Sequence, residues 1–457
     1  MTAVPRVVIA APSSGHGKTA VAVGLLAALR TCGLHPTGFK IGPDYVDAAY
    51  LGLAAGRPGR NLDPRLVGSP MVAPLFAHGC TGADIAVVEG TMGLYDGLAG
   101  RTDAESTAQI AGLLRAPVVL VVDAAAMGQS VAALAHGFRA YDELLWLGGV
   151  ILNRVASDRH EDLLREALDD VGVPVLGALR QRELPHGGLP GRAEGVLPVV
   201  HRSVTATRAV RRLGEVLAGA VDLDRLLALA RSAPALVTEV WTPPQTTWHG
   251  PRPVVAVAGG AQCSYGYAET GELLAAAGAE VVPVDPLRDG SLPEDATALI
   301  VGGGLPESYL DELSANTALA ISVRSLAAAG RPVIVEGAGV AWLAREFDGR
   351  PMCGILGATG RTGEYLVMGY REATARSVSP LAPMGTGLVG HKQHRGQVTP
   401  RSGEHPAWSW PDGQPEGFVM GGVHASYLCL HWAARPEIAG RIVSAAAGEH
   451  DTLRLAS

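Results

Sequence analysis

The sequence predicts an α/β protein with two domains in tandem, the first a doubly wound parallel sheet built around a phosphate loop. Three observations carry that expectation. Short Val/Ile/Leu runs alternate with Ala- and Leu-rich stretches of helical spacing. Aromatic residues are scarce at 5% while glycine is plentiful at 59 residues, a composition that suits close helix-on-sheet packing. The alternation breaks once, then resumes. Continuous apolar runs of this length fit strands of a parallel sheet covered on both faces.

Taken in order, the runs Val7–Ala11, Ile85–Val88, Val118–Val122 and Val150–Leu152 are each followed by a turn and a helix-like stretch. From about Arg231 to Pro253 the chain shifts to Ser, Thr, Pro and Trp, which reads as an interdomain linker over 231–252. The alternation restarts at Val254–Ala258, Glu280–Val284, Ala298–Val301 and Pro332–Val335. The expected domains are therefore 1–230 and 253–457. A length of 457 residues agrees with two or three domains at roughly 150 residues each.

Composition excludes several classes. With 37 Lys+Arg against 44 Asp+Glu the net charge is −7, whereas a nucleic-acid backbone calls for a basic stripe. No apolar run approaches the ~18 residues of a membrane span. The N-terminus runs straight into a strand without a secretory pattern. Five cysteines at irregular spacing, with no CxxC pair, fit a reducing compartment and give no metal or disulfide framework. A cytoplasmic enzyme without nucleic-acid or membrane partners is the expectation.

The sharpest motif is Ala11-Pro12-Ser13-Ser14-Gly15-His16-Gly17-Lys18-Thr19, between the first strand and the helix opening near Ala20. Backbone N–H groups at a helix N-terminus, in a loop opened by Gly15 and Gly17, favour a phosphate. Lys18 would reach the β/γ-phosphates and the Thr19 hydroxyl would ligate Mg²⁺. Pro12 stands where the usual P-loop has its first glycine, and His16 reads as a loop residue over the phosphates. Carboxylates follow at Asp44, Asp47, Glu89 and Asp96, all at carboxyl ends of strands, where ligands sit in an open α/β sheet. Mg²⁺ takes hard oxygen ligands and keeps several waters, so one or two of these acids with Thr19 suffice.

These phrases, with Lys40–Asp47, Gly59–Pro64, Glu89–Gly97, Ser106–Ala108, Gly149–Arg154, Gly302–Glu307 and Gly421–Tyr427, resemble the cobyrinic (or hydrogenobyrinic) acid a,c-diamide synthase family of cobalamin biosynthesis. The resemblance implies a dethiobiotin-synthetase-like ATPase followed by a class I glutamine amidotransferase-like α/β domain. It implies activation of a carboxylate by ATP·Mg²⁺ as an acyl phosphate, which an amine donor then displaces. By position Lys18 and Lys40 resemble the phosphate and acyl-phosphate stabilisers. Thr19, Asp44 and Glu89 resemble the metal cluster, Asp47 and Asp96 the substrate-side groups, and Asn153 the base-recognising residue. A homodimer is expected by the same analogy, and the acceptor is a tetrapyrrole or other carboxylic acid.

The sequence departs from the family where the glutaminase nucleophile should stand. The family's Ala-Glu-Cys-Gly-Gly elbow is here Val335-Glu336-Gly337-Ala338-Gly339, and its Tyr-Leu-His is Tyr427-Leu428-Cys429. Cys32, Cys80, Cys263, Cys353 and Cys429 all lie off the elbow. Loss of the nucleophile leaves only binding and oxyanion contributions. A rescue by Cys429, with His431 or His424 as base, is disfavoured because the thiol would lack an elbow. Leu184–Arg192 lacks the family's Ser-Arg-His phrase, and His391 and His394 read as a polar surface pair rather than metal ligands. The expected function is an ATP-dependent amide ligase with a silent glutaminase domain. The alternatives are an ordinary glutamine-dependent synthase and a non-catalytic nucleotide-binding paralogue.

Overall fold

The computed structural model describes residues 3–97, 105–181, 204–259, 266–304 and 306–448; Cys263 and the stretch 184–192 lie outside them. The chain divides into two units, Met1–Thr242 and Pro243–Ser457.

The first unit is a seven-stranded parallel sheet. Its strands are β1 (Arg6–Ala10), β2 (Pro36–Ile41), β3 (Arg60–Leu62), β4 (Ile85–Glu89), β5 (Val118–Asp123), β6 (Leu147–Val155) and β7 (Val175–Arg180), in the spatial order β3-β2-β4-β1-β5-β6-β7. Every residue of β1, β2 and β4 is buried, the two-faced burial that the continuous apolar runs of β1 and β4 predict. The helices are α1 (Lys18–Thr31), α2 (Tyr45–Ala55), α3 (Pro64–Val67), α4 (Ser69–Gly79), α5 (Thr107–Leu113), α6 (Ser130–Tyr141), α7 (Asp158–Asp170), α8 (Val204–Ala220) and α9 (Leu223–Arg231). One face of the sheet closes over Leu25, Leu26 and Leu29 of α1 with Leu213 and Leu217 of α8. Gly24 lets those two helices approach, because a Cβ there would come within 2.6 Å of Leu217.

The expected linker is divided between the units. Residues up to Thr242 belong to the first: buried Arg6 donates to the carbonyl of Pro234 at 2.5 Å, and Trp241 packs edge-on against His78. In the second, the Thr246 N–H donates to the Ala276 carbonyl at 3.0 Å. Proline-rich composition signalled loss of regular structure, but carbonyls and indoles still found partners on each unit.

The second unit contains a six-stranded sheet of β8 (Val254–Ala258), β9 (Glu280–Val284), β10 (Ala296–Val301), β11 (Val333–Glu336), β18 (Phe418–Met420) and β19 (Val423–Ser426), ordered β18-β19-β11-β10-β8-β9. All pairings are parallel except β18 with β19. A second sheet joins β12 (Glu346–Phe347), β13 (Arg350–Pro351), β14 (Thr359–Ala375), β15 (Gly387–Thr399), β16 (Trp408–Ser409) and β17 (Pro415–Glu416), with the long antiparallel β14–β15 hairpin at its heart. Helices α10 (Ala268–Ala276), α11 (Leu310–Ala315), α12 (Thr317–Ala328), α13 (Val340–Leu343) and α14 (Glu437–Ala446) complete it. His391 and His394 lie on β15 and are buried at 3% and 6% exposure, which corrects the expectation of a polar surface. Among the described residues no helix is long and apolar enough to cross a membrane.

Candidate active site

The loop after β1 turns through Gly15 (φ +92°) and Gly17 (φ +96°), left-handed conformations that glycine adopts without steric cost. Gly17 caps α1, so the helix N-terminus opens directly on the loop. A Cβ at Gly17 would fall 2.5 Å from the Asn153 amide nitrogen, which itself donates to the His16 carbonyl at 2.8 Å. The Asn153 oxygen accepts from the Arg154 N–H. The amide nitrogen therefore braces the loop while its oxygen is held by the end of β6. On the other side, His16 Nδ1 accepts from the Asp123 N–H at 2.8 Å, tying the loop to β5. Burial, only partly opposed by Asp123, lowers the His16 pKa, so the ring is neutral and suited to that acceptor role.

Four side chains converge behind the loop. Lys40, from the end of β2, reaches Asp47 at 2.8 Å and Glu89 at 2.9 Å, and also donates to the Gly90 carbonyl. Thr19 donates to Glu89 and lies 3.4 Å from the same Asp47 oxygen. Asp47 and Glu89 have no solvent exposure and Lys40 only 3%. Burial alone would lower the Lys40 pKa, but Asp47, Glu89 and Asp44 outweigh it and the pKa is raised, so the ammonium is permanently charged. Two carboxylates and a hydroxyl are hard-oxygen donors of the kind Mg²⁺ prefers, and the Lys40 ammonium balances their charge. The backbone cradle at Gly17, filled if a Cβ were added, fits a phosphate.

The remaining expected residues fall nearby in different ways. Lys18 donates to the carbonyls of Ser13 and Met92, spanning the P-loop and the loop after β4. Asp96 accepts the Gly93 N–H at 2.7 Å, and a Cβ at Gly93 would touch the Pro12 carbonyl at 2.5 Å, so the 93–96 turn lies against the P-loop. Asp44 is the N-cap of α2, accepting the Asp47 N–H at 3.0 Å. That cap aims Asp47, three residues later, at Lys40 and Thr19. Among the described residues no group of three His, Cys, Asp or Glu side chains forms a metal cluster, so Thr19 and phosphate or water oxygens would have to complete one.

Residue-by-residue reading assigned no role to three of the supports. Asn61 donates to the carbonyls of Gly42 and Asp44, holding the loop that carries Asp44; only its place in the Gly59–Pro64 phrase pointed to it. Thr107 both accepts from and donates to the Thr91 backbone, fixing the start of the loop after Glu89. Arg154, held at φ +60° and paired with Asp123, was pointed to only by its place at the end of the Gly149–Arg154 phrase.

In the second unit, β11 ends in a strand–turn–helix elbow at Gly337 (φ +66°), followed by the 337–339 turn and α13. Cys429 is not on this elbow, as expected, but its sulfur lies beside it. A Cβ at Gly337 would come 2.8 Å from the Cys429 sulfur and 2.9 Å from the Gly303 Cα. The two proposed bases are engaged elsewhere: His424 Nδ1 meets Ser379 at 3.0 Å, and His431 stacks on Tyr267 near Glu269.

The arrangement defines a two-part protein: a P-loop unit and an amidotransferase-like unit in one chain. Residues 7–185 match the CobQ/CobB/MinD/ParA nucleotide binding domain, and residues 264–437 match the CobB/CobQ-like glutamine amidotransferase domain. The chain is 52% identical to a hydrogenobyrinate a,c-diamide synthase of Streptomyces coelicolor, with 97% of each chain covered. It is 47% identical to one from Mycobacterium tuberculosis (97% of this chain, 98% of the relative) and 40% identical to a cobyrinate a,c-diamide synthase of Gloeobacter violaceus (96% of each). The chain belongs to the hydrogenobyrinate/cobyrinate a,c-diamide synthase family, the amide-forming, ATP-dependent ligases of cobalamin biosynthesis.

Proposed function

We propose that the chain converts two side-chain carboxylates of a hydrogenobyrinate-type tetrapyrrole into amides, with ATP as co-substrate and glutamine-derived ammonia as nitrogen donor. The observation that carries this reading is the buried Thr19–Lys40–Asp47–Glu89 constellation behind the phosphate loop. The relatives at 52% and 47% identity carry the cobalt-free acid in their names and the one at 40% the cobalt form, which favours the cobalt-free acid as acceptor.

Bound Mg²⁺ would supply charge neutralisation for phosphoryl transfer, and Thr19, Glu89 and Asp47 would hold it. Asp47 takes the place first expected for Asp44, whose carboxylate caps α2 instead. The N–H groups around Gly15 and Gly17 bind phosphate oxygens at the dipole end of α1. Lys18 reaches the β/γ-phosphates. Lys40 meets charge as it develops between the transferring phosphoryl group and the acceptor carboxylate. Asp96 orients the acceptor side, and Asn153 keeps the loop in register under the base. The acyl phosphate then loses phosphate to ammonia, forming the amide.

Gly337 favours one second reading, a ligase that takes only free ammonium because its elbow bears no thiol. ADP release and amide formation, followed by mass spectrometry with hydrogenobyrinate or cobyrinate and with glutamine, ammonium or neither, separate the two. Diamide with both nitrogen sources supports the proposal; diamide with ammonium alone supports the second reading. No diamide with any combination, despite bound ATP, would sink both.

A further inference from the structure

The glycine at the elbow and the cysteine 92 positions later occupy one place. The Cys429 sulfur lies where a side chain at 337 would begin, 2.8 Å from the ideal Cβ position. The Gly303 N–H nitrogen is 3.5 Å from the same point, so the sulfur and the Gly302–Gly304 stretch both border the place where a side chain at 337 would begin. Any side chain at 337 would displace the sulfur. The substitutions at 337 and 429 are thus sterically coupled: one clears the space the other fills.

Cys429 also has a histidine opposite it. Its backbone exchanges both hydrogen bonds with His391 of β15, each at 2.9 Å. Residues paired in that way project their side chains from one face. β15 in turn packs against the 337–339 turn. His391 is 3% exposed and its Nδ1 is buried without a hydrogen-bond partner. Burial, with Arg371 adding, lowers its pKa to about 4, so the ring is neutral and keeps a lone pair, and its protonated form needs the thiolate beside it as counter-ion. Two residues before Cys429, Tyr427 stacks on His394 at 3.9 Å. The Tyr427 hydroxyl, His394 Nε2 and Glu307 Oε2 are likewise buried and unbonded. His394 Nδ1 is paired with the Gly396 carbonyl, which makes it the protonated nitrogen and leaves Nε2 an acceptor. Two acceptors and a hydroxyl of this kind suit the α-ammonium of an amino acid.

We infer that Cys429 is the thiol nucleophile of this unit, acting on the side-chain amide of glutamine with His391 as its proton acceptor. The sulfur attacks the amide carbon and the S–C bond forms as the thiol proton passes to His391. The Gly302–Gly304 turn presents backbone N–H groups to the oxyanion. The proton moves on to the departing nitrogen, the C–N bond breaks and ammonia leaves. Water then cleaves the thioester to glutamate and restores the thiol. The inference rests on reading this unit as an amidotransferase, and it moves the nucleophile across the elbow instead of removing it.

The test uses the full chain and 6-diazo-5-oxo-L-norleucine, a glutamine analogue whose diazoketone carbon alkylates a thiol with loss of N₂. Peptide mapping is expected to place one label on Cys429 and none on exposed Cys32. Cys429→Ala should lower glutamate release by about 10³-fold or more, with ammonium-driven diamide formation unchanged. His391→Gln should lower kcat for glutamate release by about 10²-fold or more, leave KM for glutamine intact and abolish its pH dependence on the imidazole. Absence of label on Cys429, or glutamate release that survives Cys429→Ala, would overturn the inference. The wild-type labelling result stands even where a variant misfolds, and ammonium-driven turnover reports separately on the ligase reading.

Discussion

Gly15 and Gly17 share a loop and a left-handed backbone, yet their surroundings differ. Nothing lies within 4 Å of a Cβ at Gly15, whereas one at Gly17 meets Asn153 at 2.5 Å. Gly15→Ala carries only the backbone penalty of about 1–2 kcal/mol. Gly17→Ala adds displacement of the Asn153 brace, so nucleotide affinity, read by titration calorimetry, should fall roughly tenfold for the first and at least about a hundredfold for the second. Asp44 and Asp47 divide in the same manner. Asp44→Ala should remove an N-cap, lowering stability by about 1 kcal/mol in urea unfolding with turnover largely kept. Asp47→Asn leaves Lys40 short of a buried anionic partner and should reduce diamide formation by about 10²-fold or more, with ATP binding retained. Equal losses in turnover from the two would contradict the division. The acids three residues apart were both legible in the sequence as site candidates. Which one faces the lysine was not, because that depends on the cap geometry at the start of α2.

At the level of elements, legibility followed burial. Strands such as β1, β4 and β5 are covered on both faces, so their sequences are uninterrupted apolar runs. The β14–β15 hairpin has one partly wet face and reads Thr-Gly-Arg-Thr-Gly-Glu, which no such run announces. Its buried histidines consequently looked like surface. The elbow was legible in the sequence through its likeness to the family's phrase, but the thiol beside it arrives through β19 and the loop after it, a placement that linear spacing cannot show. The steric coupling gives a direct check. Gly337→Ala should destabilise the chain by about 1–3 kcal/mol, because a methyl at that point collides with the Cys429 sulfur and the Gly303 backbone. In a Cys429→Ala background part of that loss should disappear. A double-mutant cycle measured by chemical denaturation with zero coupling would show that the two positions do not compete for one space.

Across the whole molecule, ionisable groups of two opposite kinds are buried in the second unit. Burial lowers the pKa of His391 to about 4, and those of His394 and His424 to about 3, from 6.5. Their folded values are depressed, so the stability tied to their neutral forms is complete above pH 6.5 and drains as pH falls toward 4 and 3. Glu336 goes the other way: burial, only partly opposed by the Leu430 N–H, raises it from 4.5 to about 8. Its contribution is complete below pH 4.5 and drains as pH rises through 8. Between about pH 4.5 and 6.5 three histidine protons oppose the Glu336 proton, and Glu307, also raised by burial, opposes them further, so stability rises with pH by at most the equivalent of two protons, roughly 2.7 kcal/mol per unit. Above pH 6.5 only the carboxyl proton acts and stability falls. The second unit should therefore be most stable near pH 6.5. Five of the seven tryptophans (Trp248, Trp342, Trp408, Trp410 and Trp432) belong to it, so tryptophan fluorescence in urea reads it preferentially. Glu336→Gln should flatten the decline between pH 6.5 and 8 while leaving the acid limb in place. An acid limb that steepened, or an alkaline decline that persisted in the variant, would mean that the buried charge governing this unit lies elsewhere.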